Sequence, residues 1–233
     1  MTTPISLQTP VSVILPVLNE ERYLEATVSA ITAQDYPGQI EIVLALGPSR
    51  DRTNEVAANL ASRDQRISLV ENPSGKTADA LNRAIAASHA PIIVRVDGHS
   101  ILPAGYIREA VETLMRTGAV NVGGMMAAEG VTRFERVVAT AMRSKFGVGG
   151  ASFHVGGTEG PADTVYLGVF LRSAIAEING FDPHFIRAQD WELNYRLRER
   201  GGLIYFNPRL HVRYRPRPNL RALAKQYFEY GRW

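Results

Sequence analysis

The 233 residues fit one α/β domain or at most two small ones. With 45% hydrophobic and 21% charged residues the chain is neither disordered, collagen-like nor a disulfide scaffold, and the absence of cysteine removes thiol nucleophiles, Cys-ligated zinc and iron–sulfur clusters together. The net charge of +3 conceals an asymmetry, because Arg209 to Trp233 carries seven Lys/Arg against Glu229 while residues 1–208 sum to −3.

Met1 to Pro10 contains no Lys or Arg and no apolar run, so no secretory signal is expected and the chain is assigned to the cytoplasm. Apolar stretches such as Val165–Leu171 fall far short of the roughly 20 residues that span a bilayer, so no membrane crossing is expected. Short β-branched runs at Val11–Pro16, Ile40–Leu46, Ile67–Val70 and Ile92–Val96 predict buried strands. Between and after them, apolar residues at helical spacing predict helices over Glu20–Ala33, Asn54–Ala61, Thr77–Ala87 and Ala104–Arg116. This alternation predicts a mostly parallel, doubly wound α/β sheet with its ligands at the strand C-termini.

After Val120–Gly124 come a helical stretch near Thr132–Phe146 and a glycine-rich segment, Gly147–Gly160 with His154, which reads as a mobile loop, either a lid or a plain connection. A strand over Val165–Leu171 then leads through a short helix, Ser173–Ile178, and the turn Asn179-Gly180-Phe181-Asp182-Pro183 to a helix near Asp190–Arg200. Beyond Pro216 and Pro218, Asn219–Trp233 puts Leu220, Leu223, Ala224, Tyr227 and Phe228 on one face, opposite Arg221, Lys225 and Arg232. Such a helix suits an anionic membrane surface, and equally suits docking on its own domain. The division is thus one domain over residues 1–215 and a basic amphipathic helix over 216–233. Its end at Arg232-Trp233 without a C-cap fits a longer natural chain that continues into a membrane segment.

Arg95-Val96-Asp97-Gly98-His99-Ser100 sets a carboxylate and an imidazole directly after a strand. Asp97 and His99 together suit Mn²⁺ or Mg²⁺, although Asp-Gly is also ordinary turn chemistry. Asp190 is either a helix cap or a general base beside Trp191. Lys76, in the strand-to-helix turn Asn72–Asn82, can reach a diphosphate or be one more exposed lysine. It is not in a P-loop, and the first strand lacks a dinucleotide-binding glycine fingerprint. His89, His184 and His211 show no zinc spacing, no G-x-S-x-G is present, and nothing indicates nucleic-acid binding.

Taken in order, Pro16, Asn19 and Glu20 after the first strand, Asp97 and His99 after the fourth, Asn179-Gly180-Phe181-Asp182, and Gln189-Asp190-Trp191-Glu192-Leu193 with Arg196-Leu197 resemble family 2 glycosyltransferases of the GT-A fold, over about Val11 to Trp233. Val96–Ser100, Ala188–Arg196 and Tyr230-Gly231-Arg232-Trp233 are most similar to bacterial succinoglycan-type enzymes that extend exopolysaccharides at the membrane. The resemblance implies a GT-A, Rossmann-like mixed sheet flanked by helices. It also implies an inverting, metal-dependent transferase moving a sugar from a nucleotide-diphosphate donor, commonly a UDP-sugar, to a saccharide or lipid-linked acceptor at the inner face of the cell membrane. By that resemblance Pro16, Asn19, Glu20 and Asp97 would bind the nucleotide, Asp97 and His99 the Mn²⁺ or Mg²⁺, and Asp190 would be the catalytic base; the residues themselves add Lys76 on the nucleotide side and Gln189 and Trp191 on the acceptor side.

Three positions depart from the family pattern. Leu46 stands where an acidic residue often helps hold the nucleotide, and Asp51 in Ser49–Thr53 matches the neighbouring Ser-Thr-Asp pattern. His99 replaces the last Asp of DxD. Glu229 stands where the processive motif QxxRW needs Gln, with Gln226 three residues earlier, so processive synthesis is not expected. The rival readings are an inactive nucleotide-binding paralogue, a nucleotidyltransferase and a membrane-surface adaptor.

Overall fold

The structure, a computed structural model, describes residues 4–142, 144, 156–214, 219–221, 223–224 and 227–228. In chain order the elements are β1 (Val11–Val17), α1 (Leu24–Thr32), β2 (Ile40–Leu46), α2 (Thr53–Arg63), β3 (Ile67–Glu71), α3 (Thr77–Ala87), β4 (Ile92–Arg95) and α4 (Tyr106–Thr117). There follow β5 (Asn121–Ala128), α5 (Arg133–Met142), β6 (Gly160–Pro161), β7 (Tyr166–Leu171), α6 (Arg172–Glu177), α7 (Gln189–Glu199) and β8 (Ile204–Tyr214). One eight-stranded sheet runs β3-β2-β1-β4-β7-β5-β8-β6. Its β1/β2, β1/β4, β2/β3 and β5/β8 pairs are parallel, and only β7 and β6 run against the rest.

Period-2 alternation divides the strand side chains between two cores. Val11, Val13, Leu15 and Val17 of β1 pack with Leu24, Val28 and Ile31 of α1 and with Ile107, Val111 and Leu114 of α4. Ile14, Val43 and Ile93 face the other way, onto Ala78, Leu81 and Ala84 of α3, Ile175 of α6, and Leu193 and Leu197 of α7. The result is a three-layer α/β/α arrangement. Because β2 and β4 flank β1 while their connections leave in opposite directions, the strand order reverses beside β1. A crevice at the strand C-termini is therefore built in.

The strands and helices expected between Val11 and Arg200 form, most of them with shifted ends. The helix expected from Glu20 starts at Leu24, because Glu20 to Tyr23 close a turn in which the Glu20 carbonyl accepts from the Tyr23 and Leu24 N–H groups. Strand β8 has no counterpart in the sequence reading. Pro208 interrupts it, and its register with β5 jumps from Gly123↔Phe206 to Met125↔His211, so its alternation is broken midway. Gly124 sits in this irregularity, where a Cβ would collide with the Leu210 carbonyl.

Much of the glycine-rich segment, including His154, lies outside the described residues. So do Pro216, Pro218 and the Lys225, Tyr230, Arg232 and Trp233 positions of the expected C-terminal helix. Among the described residues, no helix is long and apolar enough to cross a membrane.

Candidate active site

The crevice is lined by the loops that follow β1, β2 and β4. Pro16 is tolerated in a central strand because β4 stops pairing with β1 at Ile14↔Arg95, so no ladder bond toward β4 is asked of residue 16. Asn19 adopts a left-handed backbone (φ 57°), and its side chain accepts from the Arg50 N–H at 2.8 Å while its own N–H donates to Ser49 Oγ at 3.1 Å. The Glu20 N–H donates to Thr53 Oγ1 at 2.7 Å and the Glu21 N–H to Asp51 Oδ2 at 3.3 Å. The first two loops are thus stitched into one rim.

Asp51 serves that stitching. Hydrogen bonds from the Thr53 hydroxyl first, and then from backbone N–H groups, hold its carboxyl below the ordinary range. Leu46 packs against the apolar core, and only its carbonyl serves the next loop, accepting from the Asn72 N–H at 2.8 Å. Lys76 follows edge strand β3, and its side chain is exposed at the start of α3.

Across the crevice, Asp97 and His99 leave the end of β4. The His99 ring meets Glu20 Oε1 through Nδ1 at 2.8 Å. In a neutral ring, an Nδ1–H donated to this carboxylate leaves the lone pair on Nε2. Gly98 lies between them, where a Cβ would press on Glu20 Cγ at 2.9 Å, and its carbonyl accepts from the Thr27 hydroxyl at 3.0 Å. The Asp97 side chain keeps 22% exposure. Behind it stands Tyr166, whose hydroxyl lies 3.5 Å from Ser100 Oγ. Burial foremost, and then the Asp97 charge, push the Tyr166 phenol well above its usual range. Among the described residues no group of three or more His, Asp or Glu could by itself cage a metal ion.

Asp190 arrives from the opposite face on the first turn of α7. It does not cap the helix: the N-cap is Ala188, in a left-handed conformation (φ 58°), and no side chain caps that end. The helix is fixed from behind by Leu193 and Leu197 and by a buried amide chain, Asn121 Nδ2 to Asn194 Oδ1 at 2.7 Å and Asn194 Nδ2 to Thr164 Oγ1 at 2.9 Å. Gln189 turns its amide to the Ile186 carbonyl at 2.7 Å. Trp191 is exposed and stacks on the exposed Tyr195 one turn later, with ring centroids 5.9 Å apart.

The residue that joins these parts has no role in the sequence reading. Arg95, the last residue of β4, is 6% exposed; its guanidinium pairs with Asp97 at 3.2 Å and with Asp190. The available signal was an arginine closing an otherwise apolar strand, where a buried charge demands partners.

Arg95 also lies 6.0 Å from the ring centroid of Phe181, which explains the Asn-Gly-Phe-Asp motif. Asn179 and Gly180 are both left-handed (φ 58° and 75°). Asn82 brackets Phe181, donating to its carbonyl at 2.7 Å and accepting from its N–H at 2.8 Å, and Arg196 donates to the Ile178 and Gly180 carbonyls while paired with Glu192. A Cβ on Gly180 would lie 2.5 Å from Asn82 Oδ1 in a conformation that resists side chains. Gly180→Ala is expected to cost roughly 1–3 kcal/mol. In a thermal melt that is a fall of several degrees, and an unchanged Tm would contradict this reading of the turn.

The profile of the family described as glycosyl transferase family 2 matches residues 12–178. This chain is a family 2 glycosyltransferase. The succinoglycan biosynthesis protein ExoA of Rhizobium meliloti is 32% identical over 222 residues, which is 94% of this chain and 67% of that protein. Glycosyltransferase AglE of Haloferax volcanii is 27% identical, over 93% of this chain and 70% of its own. Among solved structures, the mannosyltransferase PcManGT from Pyrobaculum calidifontis in complex with GDP-Man and Mn²⁺ has a TM-score of 0.72 at 22% identity, covering 93% of this chain. S. aureus TarS 1-349 in complex with UDP-GlcNAc has a TM-score of 0.69 at 14% identity, covering 90% of this chain. This family 2 chain spans about 60% of the length of each of those two solved chains. The GT-A architecture is thereby shown.

Proposed function

We propose that this glycosyltransferase moves a sugar, with inversion, from a nucleotide-diphosphate donor to an acceptor hydroxyl in cell-envelope or exopolysaccharide synthesis, with a UDP-sugar as the first donor to test. The observation that carries the reading is one crevice holding an open carboxylate, Asp97, after β4 and a second carboxylate, Asp190, at the start of α7. Pro16, Asn19 and Glu20 form the nucleotide rim, with Lys76 as an outer cation. Asp190 accepts the acceptor hydroxyl's proton as that oxygen forms its bond to the anomeric carbon and the bond to the diphosphate oxygen breaks on the opposite face. A single displacement inverts the centre.

The donor set fits Mn²⁺ or Mg²⁺. Asp97 offers a hard oxygen and His99 a nitrogen oriented by Glu20, too few groups for a cage, which suits an ion completed by diphosphate oxygens. When bound, such an ion offsets the charge of the leaving diphosphate. The exposed Trp191 flanks the base on the acceptor side and gives a sugar ring an apolar face. Trp191→Ala is expected to raise the acceptor KM about tenfold with a smaller change in kcat, measured by initial rates. An unchanged KM would remove Trp191 from the acceptor site.

The domain over residues 1–215 carries this chemistry, and residues 216–233 bring it to the anionic inner membrane face, where a lipid-linked saccharide is met. Deleting Asn219–Trp233 should abolish co-sedimentation with anionic vesicles, and equal pelleting would refute the lipid role. The functional test is nucleoside diphosphate release from UDP-glucose, UDP-galactose, UDP-GlcNAc and GDP-mannose, with and without a membrane lipid extract as acceptor. Extract-dependent release from one donor supports transfer. Nucleotide binding without release from any donor favours the inactive-paralogue reading, to which Leu46 and His99 lend support.

A further inference from the structure

We infer that Arg95 is a positioning residue that couples the donor side of the crevice to the base. The inference rests on the proposed roles of Asp97 and Asp190 and goes beyond them. One buried guanidinium faces two carboxylates from different elements, Asp97 from the β4 end and Asp190 from α7. Phe181 lies against it; Nη2 donates to Asp97, whereas Nε, Nη1 and the facing Asp190 Oδ1 are buried without a hydrogen-bond partner, so Arg95 is joined to Asp190 by charge, as an ion pair. The guanidinium is planar and fixes the directions of its donors, where a lysine offers a single point charge on a flexible stem.

One cation shared between two anions makes their surroundings interdependent. When a divalent ion and a diphosphate engage Asp97, the pull of Arg95 on that carboxylate is relieved and the guanidinium orients Asp190 alone. By linkage, removing the charge of Asp190 turns Arg95 fully onto Asp97, where it competes with the metal. Donor loading and base orientation are then two readings of one side chain.

The test is a double-mutant cycle on binding rather than on turnover, using Mn²⁺ with UDP, or with GDP if UDP does not bind, titrated by calorimetry. In the wild-type background Asp190→Asn should weaken Mn²⁺-dependent nucleotide affinity about fivefold. In the Arg95→Met background the same change should move it less than about twofold. Arg95→Lys keeps a cation without the fork, guards against misfolding of the Met variant, and should lose at least half of the coupling in logarithmic terms; melts confirm that each variant is folded. An equal effect of Asp190→Asn in all backgrounds overturns the coupling. Failure of the wild-type chain to bind either nucleotide with Mn²⁺ instead overturns the donor-site reading beneath it, so the two failures are distinguishable.

Discussion

Asp190→Asn is expected to reduce transfer by roughly 10²–10⁴-fold, the range over which a positioned general base contributes. The substitution preserves shape and leaves an oxygen facing Arg95, but an amide does not take up the acceptor's proton at neutral pH. The side chain is 27% exposed and caps nothing, so the fold loses little besides one partner of Arg95. Mn²⁺-dependent nucleotide binding should persist, within the roughly fivefold change already described. A rate close to that of the unaltered enzyme would remove Asp190 from catalysis, whereas a collapsed melting temperature would mean that its main duty is to neutralise Arg95.

Asp97→Ala is expected to lower nucleotide affinity in Mn²⁺ by about a hundredfold, or about 2.7 kcal/mol. Its carboxylate is the hard oxygen at the end of β4, and His99 cannot replace its charge. The variant should bind equally weakly with Mn²⁺ and with a chelator, since what it loses is the metal-linked part of the affinity. Lys76→Ala is the control: on an exposed side chain beyond the edge strand it should cost no more than a few-fold, as expected for a solvated charge. A large effect at Lys76 with none at Asp97 would move the diphosphate to the rim formed by the β3 loop.

Much of the architecture was legible because its signal is local. Buried parallel strands read as short apolar runs, α3 was placed from Thr77 to Ala87 by its spacing, and the doubly wound order followed. What escaped is non-local. Strand β8 hides behind Pro208 and a register jump that only its partner β5 explains. The reversed β7 inside the sheet follows from pairing between residues far apart in the chain.

The site divides in the same way. The sequence pointed to Asp97, His99 and Asp190 because each stands at the start or end of an element, but it offered no means of seeing that Arg95 lies between two of them. Nor could it show that Glu20 belongs with His99, 79 positions later, or that Asn82 secures the Phe181 turn from 99 positions away. The Glu20–His99 contact arises only once β1 and β4 have paired, and the other two only once α3 and α7 have packed on the same face of the sheet.

The most direct measurement is a thermal-shift series on the intact chain with UDP, GDP, ADP and CMP, each with Mn²⁺ and with chelator, repeated on Asp97→Ala. A ligand at about 100 times its dissociation constant stabilises by about 2.7 kcal/mol. That corresponds to roughly 5–10 °C for a domain of this size. Stabilisation by UDP that requires both Mn²⁺ and Asp97 is the predicted result. No shift with any nucleotide, or a shift indifferent to the metal and to Asp97, would contradict the donor site at the end of β4.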